Sequence, residues 1–452
     1  MTSKQTNSNF LETEPVSRVF FKYLIPSLIG MMLMALNIVV DGVMVGNRLG
    51  PVALAGVGIA SPVFTLFLAM SLWIGIGGAT LFSQAMGSKQ TKQARFIFTH
   101  SLVLIIVFTI IIGLTAFIFR EKLAFLLGAN EETFPFTIGY LKVMLLFGFI
   151  FTLENALSIF VRNDQNPNLA MISLIVTSTA NIGINYYFLY VLNLGVAAVA
   201  AGTLLAAFLG VLVLLIHFFK KDNNLRFVRI AFQRPLFINT MTVGFPSFLS
   251  EIGISVFTIA YNVTLVRIAG TAGVAAFSVL NYVHGVMLMM FLGMASAIQP
   301  LISYYHGAGL PGRKEQTIKI ALKVAILAGI AACLIGQAGA RQIVSIFGDF
   351  PEDIMEIATT GIRLFFIAYL FMGINFVMMT YFQSVAQIRM AIWITASREI
   401  IFMMVFILIL PVIFGINGVW ISVPLAELVV MITVAIHVKR HREFKTLFKV
   451  RS

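Results

Sequence analysis

Residues 19–56 read VFFKYLIPSLIGMMLMALNIVVDGVMVGNRLGPVALAG, and this stretch decides the class of fold. Its first part, 19–46, is an apolar run that contains only two charged residues, Lys22 and Asp41. A helix that crosses a bilayer needs about 20 mostly apolar residues, so the run predicts a transmembrane helix. It is too long for the apolar core of a signal peptide, and we therefore expect this first helix to be retained.

The same character extends over all 452 residues. Apolar residues make up 59% of the chain and charged residues only 11%, with a mean hydropathy of +0.97. A soluble domain carries roughly a quarter charged residues. The net charge of +13 is typical of basic cytoplasmic loops, and we expect no nucleic-acid partner. The single cysteine, Cys333, leaves no zinc or redox pair within the chain. The composition therefore predicts an all-α polytopic membrane protein.

Twelve segments are long and apolar enough to span a membrane, and the connections between them contain the glycines, prolines, asparagines and charges. The predicted spans, numbered 1 to 12 in chain order, are 19–46, 52–84, 96–119, 134–161, 168–192, 195–218, 236–266, 273–304, 318–340, 354–382, 390–413 and 418–438.

Lysine and arginine are distributed unevenly over the connections. With the N-terminus placed inside, the inside segments hold 22 of these residues and the outside segments hold 5. Because basic residues favour the cytoplasmic side, we expect both termini in the cytoplasm. The inside residues are Lys4, Arg18, Lys22, Lys89, Lys92, Arg95, Arg162, Lys220, Lys221, Arg226, Arg229, Arg234, Arg313, Lys314, Lys319, Arg389, Lys439, Arg440, Arg442, Lys445, Lys449 and Arg451; the outside residues are Arg48, Arg120, Lys122, Arg267 and Arg341.

The chain contains an internal repeat. Pro26-Ser27 recurs as Pro246-Ser247, an offset of 246 − 26 = 220 residues, and three glycines near predicted span ends recur at the same offset. Six spans per half is an even number, so both halves enter the membrane from the same side and are related by a pseudo-twofold axis along the membrane normal. The glycine pairs are Gly50 with Gly270, Gly87 with Gly307 and Gly128 with Gly348. The predicted domains are a cytoplasmic tail 1–18, an N-lobe 19–219, a cytoplasmic linker 220–235, a C-lobe 236–438 and a basic cytoplasmic tail 439–452.

Few ionisable residues lie within the predicted spans, and each costs about 2.5–3.5 kcal/mol near the centre of a spanning helix. They therefore mark either functional sites or structural ion pairs. Arg398 and Glu399 are consecutive, so we expect them to point to different faces and not to form a simple pair. Lys142 and Glu427 are placed where their side chains can reach the membrane surface. The candidates are Asp41, Lys142, Glu154, Glu251, Arg363, Arg398, Glu399 and Glu427.

Asp41 is the leading candidate for a coupling site. Asn37 lies one helical turn earlier on the same face, and span 1 offers no basic partner nearby. Burial disfavours a charged carboxylate, so Asp41 is suited to take up and release a proton, or to bind a cation, as access alternates. Glu251, in the second half, is a secondary candidate.

A second polar patch lies in spans 5 and 6. Asn181 and Asn185 are four residues apart and share a face of span 5, and Thr177 extends that face by one turn. Thr203 lies across the short connection in span 6. These groups either form hydrogen bonds between helices or belong to a binding site.

Methionine is abundant, and its flexible side chain suits a cavity that adapts to varied ligands. The candidates for such a lining are Met31, Met32, Met287, Met289, Met290, Met378 and Met379.

Several short motifs resemble one known family. They are Pro26 followed by DGVMVGNRLGPVALAG (41–56), GIGG (75–78) leading to SQAMG (83–87), Arg162 with NPNLAM (166–171), NIGIN (181–185) followed by Gly195 and Gly202-Thr203, and GFPSFLSE (244–251). In this order and spacing the chain resembles the multidrug and toxic compound extrusion (MATE) family over essentially its whole length. The likeness is strongest to the bacterial DinF-like and MepA-like branch.

The resemblance implies an antiporter with two six-helix lobes around a central cavity. It implies export of cationic or amphipathic drugs, driven by inward flow of protons or sodium. It also implies a monomeric protein that is embedded in the bacterial inner membrane and needs no cofactor. Asp41 matches the first-span aspartate of the branch, Asn181 and Thr203 match its neighbours, and Pro26 matches a proline linked to bending of span 1. Asn185 departs from the branch, which commonly has a second aspartate there, and this favours protons over sodium.

Other functions remain open at this point. The main alternative is a flippase for a lipid or lipid-linked oligosaccharide of the same superfamily, whose cavity would carry several basic residues. A non-transporting sensor would need a soluble output domain, and no connection exceeds about 20 residues. The sequence shows no catalytic constellation, so we expect no enzymatic activity, and it lacks the phosphate-binding loop of a primary pump.

Overall fold

The computed structural model describes residues 10–220, 222–229 and 231–440, and this part of the chain is built from helices. Six of the residues counted for the orientation lie outside the described residues, as do 1–9 of the first predicted tail and 441–452 of the last; the six are Lys4, Lys221, Arg442, Lys445, Lys449 and Arg451. The long helices are Val16–Leu49, Pro51–Gly87, Thr91–Ile118, Phe134–Phe147 with Phe149–Asn163, Pro167–Tyr186, Val196–Leu215, Arg234–Gly307, Pro311–Ser345, Glu352–Phe365 with Tyr369–Ser384, Ile388–Ala396 with Phe402–Phe414, and Ile416–Arg440. Two short helices, Phe10–Thr13 and Arg120–Leu126, complete them.

These helices account for the twelve predicted spans. Ten continuous helical stretches in the described residues are long and apolar enough to cross a membrane, and a bent pair, Phe134–Phe147 with Phe149–Asn163, supplies another. The stretch Arg234–Gly307 is about 110 Å long at 1.5 Å per residue, far more than one crossing needs. Its backbone breaks at Gly270, which separates spans 7 and 8 without an intervening loop. The predicted all-α fold is confirmed.

The repeated glycines serve two different purposes. Gly50, Gly270, Gly128 and Gly348 all have positive φ, at 87°, 58°, 105° and 141°, so at these positions the chain turns in a conformation that favours glycine. Gly87 and Gly307 do not have positive φ. Each ends a helix and packs closely on the backbone of the opposite half, so that a side chain on Gly87 would collide with the carbonyl of Tyr304.

Hydrogen bonds join the two halves at one end of the bundle, which we call the closed end. Gln299 donates to Thr80 (3.0 Å) and accepts from Asn163 (3.0 Å), and Gln84 donates to the carbonyl of Ser384 (2.9 Å). Glycines permit this close approach, since a side chain on Gly244 would collide with the carbonyl of Trp73 and one on Gly77 with that of Thr240. The indole of Trp73 stacks on Phe248 at 4.3 Å between ring centroids.

The connection between the halves is held against the first half. Asp164 accepts hydrogen bonds from the backbone and side chain of Asn224 (2.8 and 2.9 Å) and lies 2.8 Å from His217. Farther along, the backbone N–H of Val228 donates to the hydroxyl of Thr99 (3.2 Å). The described parts of 220–233 thus lack regular secondary structure, and a helix begins at Arg234.

Several spans are less regular than the hydropathy pattern predicts. Span 4 bends by 53° at Gly148. The ring of Phe67 in span 2 packs against this glycine, within 3.0 Å of where a Cβ atom would lie. Span 10 contains a 3-10 turn at Phe366–Ala368. Spans 5 and 11 contain π-helical turns at Tyr187–Val191 and Ser397–Ile401. Such turns often occur at functional sites.

Candidate functional site

Asp41 lies at the junction of spans 1, 5 and 6, half-buried, and the amides predicted from the sequence surround it. The side-chain amide of Asn185 donates to Asp41 Oδ1 at 2.9 Å. Asn181 satisfies its neighbours when its amide nitrogen faces the two carboxylate oxygens of Asp41 at 2.8 and 2.9 Å and its oxygen faces the hydroxyl of Thr203 at 3.1 Å. In this orientation the nitrogen also lies 3.2 Å from Asn37. We call Asn37, Asp41, Asn181, Asn185 and Thr203 the Asp41 cluster.

A glycine makes room for the innermost amide of this cluster. Asn185 is fully buried, and its side-chain oxygen lacks a hydrogen-bond partner among the described residues. That oxygen lies against Gly202 of span 6, where any side chain would collide with it. Asn185 therefore directs its nitrogen toward Asp41 and its oxygen toward the helix backbone. The close packing of spans 5 and 6 at Gly202 sets this orientation.

Pro26 is buried in the same helix as Asp41 but at a distance from it. The helix Val16–Leu49 runs through Pro26 without a break. The 15 residues between Pro26 and Asp41 correspond to about 22 Å of helix. A proline removes one backbone hydrogen bond and weakens the helix locally, so the predicted bending role of Pro26 stays a prediction.

A cavity lies between the halves above the closed end, lined by residues of both. Its wall contains four methionines, from spans 1, 8 and 10. Three of them, Met31, Met289 and Met379, are among the candidates predicted from the sequence. The lining residues are Met31, Met34, Leu68, Leu72, Ile76, Asn155, Ser158, Ile159, Arg162, Leu174, Ser247, Ser250, Glu251, Met289, Leu292, Ala295, Ser296, Gln299, Met379, Thr380 and Gln383.

Arg162 and Glu251 are the two charged residues in this lining. The interpretation of Arg162 as a loop residue was wrong. The helix continues to Asn163, and Arg162 is 4% exposed and faces the cavity. Glu251 is 6% exposed and lies on span 7 beside Ser250. The Asp41 cluster does not line this cavity; Asp41 is about 10 Å farther along span 1 than Met34.

The second half contains a buried ionic cluster that the sequence interpretation missed. Arg398 contacts Glu399 directly and lies 3.4 Å from Glu427, which accepts from Asn375 at 2.7 Å. The prediction that Arg398 and Glu399 would not pair was wrong, because the wider π-helical turn at Ser397–Ile401 and the long arginine side chain bring them together. Glu427 is 2% exposed and does not reach the surface. This pairing joins spans 10, 11 and 12, and no local pattern predicts it.

Glu154 is a buried carboxylate of the first half that lies apart from the Asp41 cluster. It accepts hydrogen bonds from Ser173 (3.1 Å) and Thr177 (3.3 Å) of span 5. Gly210 of span 6 packs closely over both Thr177 and Glu154. Thr177 therefore belongs with Glu154, although it shares a helix face with Asn181. Helical periodicity alone cannot separate these two neighbouring groups.

Two related helical halves joined at one end around a cavity with methionine and polar groups define a multi-pass membrane protein of the transporter class. The family model for MatE matches residues 26–187 and 246–409, one stretch in each half and more than half of the chain. The chain belongs to the MatE family, a family of transporters. The two matches begin 246 − 26 = 220 residues apart, the offset of the internal repeat.

Comparison with known proteins finds similarity over nearly the full length of the chain. The chain is 24% identical over 417 residues to the multidrug export protein MepA of Staphylococcus saprophyticus, covering 90% of this chain and 89% of that protein. It is 24% identical over 425 residues to MepA of Staphylococcus aureus, covering 92% of each. A solved structure described as the outward-facing conformation of a multidrug resistance MATE family transporter of the MOP superfamily has a TM-score of 0.91 and 24% identity, covering 99% and 100%. This last likeness concerns the fold.

Proposed function

We propose that this protein is an antiporter that exports cationic or amphipathic organic compounds and is driven by protons that enter through the Asp41 cluster. The observation that carries the proposal is the cavity between two halves that are hydrogen-bonded at one end. Such an arrangement supports alternating access, in which the halves separate at the closed end as they approach at the other. The relatives described as multidrug export proteins support the nature of the cargo.

The orientation of the closed end follows from charge. The loops beside Gly87 and Gly307 lie on the side that the basic residues place in the cytoplasm. On this assignment the cavity opens to the outside, the state in which an exporter releases its cargo. The chain would then lie in a bacterial plasma membrane with both termini in the cytoplasm.

Proton coupling is supported by the surroundings of Asp41. Two amide nitrogens point at its carboxylate, an arrangement that stabilises a charged carboxylate through hydrogen bonds. Protonation removes the charge and weakens these bonds, which loosens span 1 from spans 5 and 6. Sodium prefers a cage of oxygen ligands, whereas the oxygen of Asn185 faces Gly202. The absence of a second carboxylate at position 185 also favours the proton.

The test is efflux of a fluorescent organic cation, such as ethidium, from vesicles that contain the purified protein, with pH and sodium gradients imposed separately. We expect efflux to follow the pH gradient. Asp41→Asn is expected to abolish coupled efflux, while Glu131→Gln, which changes an exposed carboxylate, serves as the matched control. Asn185→Asp is expected to increase any response to sodium, because it adds the missing negative charge.

Three outcomes would contradict this proposal. Efflux that requires sodium and ignores the pH gradient would overturn the proton assignment. Full coupled efflux by Asp41→Asn would overturn the assignment of the site, and Glu251 would be the next candidate. Failure to export any cation, together with translocation of a lipid-linked sugar, would favour a flippase.

A further inference from the structure

Arg162 lies in the wall of the central cavity without a partner of its own. Its side chain is 4% exposed, and within the described residues its guanidinium makes neither a hydrogen bond nor an ion pair. A buried charge is costly unless it is paired, and arginine remains charged in proteins. The five N–H groups of arginine match the two oxygens of a carboxylate. The side chain is therefore poised for an anionic group that comes from outside the protein.

Ser158 supplies a second donor next to Arg162. The two residues are four apart on span 4, so they share a helix face, and both line the cavity. The hydroxyl of Ser158 is buried and has no hydrogen-bond partner among the described residues. Span 4 thus presents two unpaired donors, one turn apart, to the same cavity.

Glu251 gives the opposite wall of the cavity the opposite charge. It projects from span 7 of the second half, beside the hydroxyls of Ser247 and Ser250. Leu72, Ile76 and Met289 form part of the apolar surface of the same cavity. The cavity therefore offers an acceptor on one side, a cationic donor on the other and apolar surface around them.

We infer that Arg162 and Ser158 form a subsite for a carboxylate, so that the preferred cargo is a zwitterionic amphiphile with a cationic group directed toward Glu251. This inference rests on the proposed function, because it takes the cavity to hold the exported compound. It goes beyond that function because a cavity for cations alone would not place an unpaired arginine in its wall. A site built to bind a charged group discriminates against analogues that lack this group.

The test uses two dyes that differ at one position. Rhodamine 110 carries a free carboxylate and is a zwitterion, whereas rhodamine 123 is its methyl ester and is a cation. Binding of each dye to the purified full-length protein in detergent is measured by fluorescence anisotropy. We expect the wild type to bind the acid more tightly than the ester. Arg162→Gln is expected to weaken binding of the acid about tenfold more than binding of the ester, because it removes a charge-assisted pair.

Two further variants separate recognition from folding. Arg162→Lys keeps the positive charge and is expected to keep part of the preference for the acid. Glu251→Gln is expected to weaken binding of both dyes, because both carry the cationic xanthene. If Arg162→Gln elutes as aggregate in size-exclusion chromatography, the preference of the wild type and the response of Arg162→Lys still decide the question.

The inference is overturned if the wild type binds the ester as tightly as the acid or fails to bind the acid. It is also overturned if Arg162→Gln weakens binding of both dyes equally. Binding in detergent needs no ion gradient, so this result is independent of coupling. Intact, Arg162-dependent binding of the acid with no dye efflux from vesicles would count against the export function alone. Efflux of both dyes, together with unchanged binding of the acid by Arg162→Gln, would count against the carboxylate subsite alone.

Discussion

Gly202 and Asn185 show how a single missing side chain can orient a polar site. Asn185 could present either its oxygen or its nitrogen to Asp41, and the two choices have opposite consequences for a carboxylate. Because its oxygen occupies the space above Gly202, the nitrogen faces Asp41. The resulting cluster stabilises negative charge on Asp41 through hydrogen bonds. The residues of the site were predicted from the sequence, whereas the orientation of its amides was not.

Gly202→Ala is expected to impair coupling while the protein remains folded. The new methyl group would displace Asn185 and remove its 2.9 Å hydrogen bond to Asp41. A net contribution of about 1.5–3 kcal/mol for a hydrogen bond to a charged group predicts at least a tenfold loss of pH-driven dye efflux. Gly183→Ala on span 5 is the matched control, because a methyl group there meets open space. Equal efflux by the two variants would argue against this role of Gly202.

At the scale of helices, the closed end depends on spans 2 and 7 crossing at two glycines. Backbone approaches backbone at Gly77 and Gly244, and a small residue on each helix is required for this contact. The same crossing lets the indole of Trp73 donate to the carbonyl of Met241 at 2.7 Å. The contact therefore combines close packing with hydrogen bonds, and in the proposed mechanism it would separate as a unit.

Gly244→Ala is expected to shift the protein toward a state that is open at this end, because the added methyl group meets the carbonyl of Trp73. The shift can be measured in a Cys333→Ser background that carries Ser384→Cys, since Ser384 is fully buried at the closed end. A severalfold faster reaction with a membrane-impermeant maleimide in inside-out vesicles is expected. Gly285→Ala on span 8 adds a methyl group without a collision and should leave the rate unchanged. A rate that Gly244→Ala does not alter would show that the crossing does not control opening.

At the scale of the whole molecule, the two halves differ in chemistry although they share one plan. The first half places an aspartate among amides, whereas the second half buries an arginine among glutamates. The central cavity takes Arg162 from one half and Glu251 from the other. The repeat thus gives the two halves one plan, while divergence between the halves gives the cavity two different walls.

The predicted topology and the anchored linker can be tested together with trypsin. Arg226 and Arg229 lie in the connection that Asp164 holds through Asn224. Trypsin added to intact cells is expected to leave this connection uncut, and trypsin added to inside-out vesicles is expected to cut it. Asp164→Ala should accelerate that cut, because it removes both hydrogen bonds from Asn224. Cleavage here from outside intact cells would reverse the orientation, and an unchanged rate in Asp164→Ala would argue against the anchor.

The sequence by itself determined the membrane class, the number of spans, the repeat and the residues around Asp41. Hydropathy and helical periodicity are properties of neighbouring residues along the chain, so they can be recognised without knowing how the helices pack. Only the tertiary structure placed Arg162 in the cavity, bent span 4 at Gly148 and paired Arg398 with Glu427. These features depend on which helices meet and in what rotation. Contacts between distant segments set that rotation. Because burying an unpaired charge in a low-dielectric interior is costly, the same contacts also determine which buried charges pair.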